Sequence, residues 1–153
     1  MARVTPKQFA IEMDQIARLL VPKIGKQVHS KVTEAVYKGI VQKTPVLTGR
    51  ARGNWHPTLG APSEAVGEEV FGGSVTGEPM TGKEKGRVRA VTSKLEALPL
   101  GTSKSFVTNN LDYIQRLEDG SSPKSPPAAM VQSAIINTLD ALQINIRSSG
   151  KVD

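Results

Sequence analysis

The chain contains no cysteine, which excludes disulfides, thiolate zinc sites and cysteine nucleophiles. Aromatic residues are scarce: Phe9, Tyr37, Trp55, Phe71, Phe106 and Tyr113 leave little material for base-stacking platforms. No apolar run approaches the roughly 20 residues that a membrane span requires. The polar stretch Met1 to Lys7 leads into an amphipathic rather than a continuously apolar segment, which predicts no secretory signal. Acidic residues are in short supply, 14 against 20 Lys and Arg, for a formal charge of +6. What is present suits a soluble protein of one domain, residues 1–153, whose 38% hydrophobic content is enough to build a core.

The positive charge is regional. Residues 18–52 hold Arg18, Lys23, Lys26, Lys31, Lys38, Lys43, Arg50 and Arg52 against the single acid Glu34. That segment predicts a face that meets something acidic, whether nucleic acid, a membrane surface or a protein neighbour, or else a solvated helix face.

Thr5-Pro6 is a helix start, since a hydroxyl caps free amides and proline loses nothing at the first helical position. Phe9, Met13, Ile16 and Leu20 form an apolar stripe that resumes as Ile24, Val28, Val32, Val36 and Ile40. The reading is one long helix over residues 6–43, kinked or broken at Pro22 and ended by Pro45. At 1.5 Å per residue it spans roughly 57 Å, more than a compact core of this size needs, so part of it is expected to pack on another subunit. Residues 45–60 read as turn, short strand, turn, with Asn54-Trp55-His56 extended. Residues 60–86 are rich in glycine and read as a long flexible loop with a hairpin at Val70 to Val75. Val88, Val91, Leu95 and Leu98 predict a helix ending at Pro99 or Gly101, and Ser105 to Thr108 a strand. Leu111, Ile114 and Leu117, capped by Asn110 and stopped by Gly120, predict a short helix, and residues 128–147 an amphipathic C-terminal one. This order points to an α+β fold: a long N-terminal helix packed on a small, mostly antiparallel sheet, with a C-terminal amphipathic helix.

Catalytic constellations are hard to assemble from these residues. Gly77 to Glu84 imitates a phosphate-binding loop, but Glu84 stands where a magnesium-binding hydroxyl belongs, and the sequence shows no helix opening directly from it. His29 and His56 lie far apart with no carboxylate cluster, and Glu118 and Asp119 are adjacent rather than facing. The chain is therefore expected to be no enzyme and to need no cofactor or metal. The basic segment keeps a small nucleic-acid-binding protein as the alternative, with salt-dependent contact but without a recognisable reading module.

Two stretches carry a family resemblance. The first is Thr44-Pro45-Val46-Leu47-Thr48-Gly49-Arg50-Ala51-Arg52-Gly53-Asn54-Trp55. The second runs from Val107-Thr108-Asn109-Asn110 through Tyr113-Ile114-Gln115-Arg116-Leu117-Glu118-Asp119-Gly120 to Ser125-Pro126-Pro127-Ala128-Ala129-Met130-Val131. With the long helix before them, they resemble the tail-completion, or minor tail and neck, proteins of tailed bacteriophages. The resemblance covers the order of elements and departs from the family pattern at Ala51, at Ile114 and in the glycine-rich middle. It implies a structural virion protein, made in the host cytoplasm, that forms a ring of six or twelve copies at the head-tail interface. Its implied partners are other neck, connector and tail-tube proteins, with non-specific contact to passing DNA and none to membrane. Thr48, Gly49, Arg50, Arg52, Trp55, Tyr113, Leu117, Glu118 and Asp119 are the expected subunit-interface residues. Glu118 and Asp119 sit at a helix C-terminus, which disfavours anions, and are expected to pair with Arg50, Arg52 or the lysines of the long helix, most favourably across subunits. On that expectation Glu118→Lys impairs assembly and leaves the monomer folded.

Overall fold

The computed structural model describes residues 5–67, 76–120 and 127–149; the side chains of Pro6, Phe9 and residues 143–149 fall outside the description. The chain is an α+β structure in which a long N-terminal helical path, further helices and a two-stranded antiparallel sheet meet at one core.

Helix α1 (Pro6–Gln15) opens on a capping box: the Gln8 amide donates to the Thr5 hydroxyl at 3.3 Å, and the Thr5 amide donates to the Gln8 side-chain oxygen at 3.0 Å. A π-helical turn (Ile16–Leu20) joins it to α2 (Val21–Lys43), with the Val21 amide reaching back five residues to the Ile16 carbonyl. The expected break at Pro22 takes this form. Proline has no N–H for the ladder, and a wider turn just before it absorbs the irregularity while the helical path continues. Helix α2 ends at Thr44, held extended (φ −64°, ψ 123°) by the following Pro45.

The core face of α2 is not the valine stripe. Ser30, Thr33, Tyr37, Ile40 and Val41 are buried, whereas Ile24 and Val28 are exposed and Val32 and Val36 half-buried. Residues spaced by four advance by about 40° per step around a helix, so the stripe rotates away from the core toward the N-terminus. Tyr37, Ile40 and Val41 pack with Trp55, Met80, Val88, Met130 and Ala134. Gly39 permits the close crossing of α2 and the last helix, since a Cβ there would lie 2.9 Å from the Ala134 Cβ and 3.2 Å from its Cα.

The expected strand at residues 54–56 is corrected: α3 (Arg50–Gly53) intervenes and β1 runs His56–Leu59, paired antiparallel with β2 (Ser105–Thr108). Pro57 sits inside β1, opposite Val107. The Gly60 amide donates to the Lys104 carbonyl at 2.8 Å, so by alternation the residue-57 position turns its missing N–H away from β2, where proline is tolerated.

Helix α4 (Gly82–Ala97) overturns the last part of the expected 60–86 loop. Residues 60–67 and 76–81 are irregular as read, and the hairpin at Val70 to Val75 lies outside the described residues. Helix α5 (Ile114–Asp119) begins later than expected, after Tyr113. Asn110 does not cap it; its amide instead donates to the Ser63 and Ala65 carbonyls. Gly120 (φ 76°) ends α5 as read, and α6 (Met130–Ser149) is the C-terminal helix, shifted two residues from 128–147.

Candidate assembly interface

The Thr48-Gly49 turn leads the chain from α2 into α3, and Gly49 holds the left-handed conformation (φ 81°) that its position demands. One turn later the Arg52 side chain enters the core. Its Nε donates to Glu84 Oε1 at 2.7 Å and its Nη2 to Glu84 Oε2 at 2.9 Å, and neither side chain retains solvent exposure. The remaining donors reach the Glu78 carbonyl at 3.2 Å and the Pro79 carbonyl at 2.9 Å. Glu84 is also the third residue of α4 and closes a capping box: its Oε2 accepts from the Thr81 amide at 2.7 Å, and its own amide donates to the Thr81 hydroxyl at 3.3 Å.

Burial alone would raise the Glu84 carboxyl. The paired hydrogen bonds from Arg52 and those from Thr81 outweigh it and hold the group below the ordinary carboxylate range, while the same pair raises Arg52. Tyr37 lies in this buried neighbourhood, and burial, reinforced by the charge of Glu84, pushes its phenol up to about 12. The Gly77–Glu84 segment therefore does open a helix directly, against the sequence reading, and its acid serves as a structural clamp. Thr81-x-x-Glu84 is itself a capping-box pattern, the signal that could have revealed this role.

The nine expected interface residues divide. Arg52 and Trp55 are buried inside the protomer, and the Trp55 indole donates to the Thr44 hydroxyl at 2.8 Å, anchoring the start of β1 to the end of the long helix. Tyr113 and Leu117 are half-buried, Leu117 against the core; Thr48 and Asp119 are exposed and Arg50 half-buried. The pairing expected of Glu118 is corrected in part: Arg52 is committed to Glu84, and the Glu118 carboxylate accepts from the Val131 and Gln132 amides, each at 3.1 Å. The acid at the unfavourable end of α5 thus caps the favourable end of α6, where free amides attract a negative charge. Asp119 accepts from the Gln115 side-chain amide.

The two stretches that carry the family resemblance meet in space. The Asn109 side-chain amide of the second donates to the Ala51 carbonyl of the first at 2.8 Å, and within the second the Ala128 amide donates to the Leu117 carbonyl at 2.8 Å. No family model, curated protein or solved structure matches the chain.

Elsewhere the surface offers mixed chemistry. A cleft of about 510 Å³ between α2 and α4 is lined by Glu34, Lys85, Arg89, Thr92, Ser93 and Glu96, charges of both signs. His29 is half-buried and shares a 3.0 Å hydrogen bond with the Ser105 hydroxyl. Among the described residues no three His, Asp or Glu side chains converge as metal ligands, and no helix is long and apolar enough to cross a membrane. The largest departure from ordinary surface chemistry is apolar: along the N-terminal helical path Met13, Ile16, Leu20, Ile24 and Val28 are each between 42% and 48% exposed.

Proposed function

We propose that the chain is a structural protein of a tailed-bacteriophage particle, a tail-completion or minor tail protein that forms a homo-oligomeric ring, six or twelve copies, at the neck. The observation that carries this reading is the N-terminal arm: residues 10–21 are all exposed, yet they hold large apolar side chains that the protomer's own core leaves uncovered. The joined motif stretches support it, because Thr44 to Trp55 and Val107 to Asp119 form one hydrogen-bonded unit at the far end of the long helix. On this reading the chain works by binding neighbours rather than by turnover.

The test is loss of the gene from the phage genome that encodes it, followed by electron microscopy and mass spectrometry of particles. Filled heads and tails that fail to join, together with several copies of the chain per wild-type particle, support the proposal. Normal joining, or absence of the chain from purified particles, overturns it. A nucleic-acid-binding role draws on the exposed Lys23, Lys31, Lys38 and Lys43 of α2; mobility-shift titrations in which affinity falls steeply with salt, with no incorporation into particles, would favour it instead.

A further inference from the structure

We propose that the apolar face of the N-terminal arm seats on the outer face of α6 in a second copy of the chain, a head-to-tail contact that rests on the assembly reading above. The π-helical turn narrows the apolar face of the arm. One extra residue in a turn sets a helix back by about 100°, which cancels the drift of the four-residue spacing and returns Ile24 and Val28 to the side of Met13 and Ile16. In a regular helix Ile16 and Val28 would lie about 120° apart around the axis, and the turn brings them to within about 20°.

Area and charge both point to another protein. With the flanking Leu19 and Val21, the half-exposed side chains of the stripe offer on the order of 700 Å², close to the roughly 800 Å² that each partner contributes to a stable specific interface. The same chain carries a second uncovered apolar surface, Ile135, Ile136 and Leu139 on α6, exposed at 44%, 50% and 52%. Ile135 and Leu139 are four apart and present a helical stripe, which suits packing against another helix.

The charges on the two faces are complementary. Lys23 is exposed next to Ile24, with no acid from residue 15 to residue 28, while Asp140 is the only charge on α6 from residue 130 to residue 142. Arm against arm would leave the α6 face in water; arm against α6 covers both. A contact between two different surfaces of one chain is heterologous, and heterologous contacts repeat until they close a ring or extend a filament.

The absence of cysteine makes the test direct, because an introduced thiol has no competitor. Leu20→Cys and Leu139→Cys proteins, mixed and oxidised, are expected to give a mixed disulfide dimer, and the double variant a ladder of covalent oligomers. In sedimentation experiments Leu20→Glu and Leu139→Glu should each weaken self-association about a hundredfold or more. An equimolar mixture of the two should recover dimers and nothing larger, since one intact arm and one intact face remain. Both positions are exposed, so unchanged melting of each variant separates lost contact from lost folding. Efficient crosslinking of Leu20→Cys to itself with no mixed product establishes an arm-to-arm contact and overturns the inference. Wild-type oligomers that survive both glutamate substitutions also overturn it, while leaving the ring reading in place. A wild-type chain that stays monomeric at millimolar concentration overturns it too, and the copy number in particles then judges the ring reading separately.

Discussion

Arg52 and Glu84 show how much one buried pair can organise. The clamp closes the N-terminus of α4, holds the 78–81 segment by two carbonyls and fixes α3 beneath it. Removing either partner leaves an uncompensated charge in the core, so Glu84→Ala should cost about 3–5 kcal/mol in urea unfolding. Because the folded Glu84 carboxyl lies below its ordinary 4.5, its contribution is complete above that pH and is lost as pH falls through the lower folded value. Replacing the pair together by Met and Leu should remove this acid-sensitive component from the pH dependence of stability. Tyr37 acts at the opposite limb. Its phenol, pushed from 10.0 up to about 12, keeps its stability contribution below pH 10 and loses it as pH rises toward 12. The loss should reach about 2–3 kcal/mol, and Tyr37→Phe should flatten that limb when unfolding is followed against pH.

Glu118 joins two helices: it sits in the last turn of α5 and neutralises the first amides of α6. Glu118→Ala should therefore destabilise the protomer by about 0.5–2 kcal/mol, as loss of a cap does. Glu118→Lys should lower the melting temperature further, because it places a cation against the positive end of α6. Where α2 crosses α6, Gly39→Val must push the Ala134 backbone away and should cost about 1–3 kcal/mol, measurable by thermal or urea unfolding.

For the molecule as a whole, the core and the arm are separable. Every residue from 10 to 21 is exposed, so a chain beginning at Val21 should keep its unfolding free energy within about 0.5 kcal/mol of the full chain. If the arm is the assembly element, the same truncation should abolish oligomers in sedimentation. A large loss of stability on truncation would instead show that the arm belongs to the protomer's own fold.

Local pattern was enough to place the helices at both ends, the stop before Pro45, the strand at Ser105 to Thr108 and the glycine that ends α5. Each depends on periodicity or on a local backbone restriction within a few residues. It also contained the α4 cap, since Thr81 and Glu84 are three apart, although the surrounding glycines suggested a loop. Tertiary structure alone decided that Arg52 pairs with Glu84, 32 residues away, because the attraction between two charges leaves no trace in spacing along the chain. It decided likewise which apolar stripe is covered. Periodicity reveals that a helix has an apolar face, but whether that face is covered depends on where the other elements lie: residues 10–21 extend beyond them, and at Gly25 Leu100 packs on the other side of the helix, leaving Ile24 and Val28 exposed.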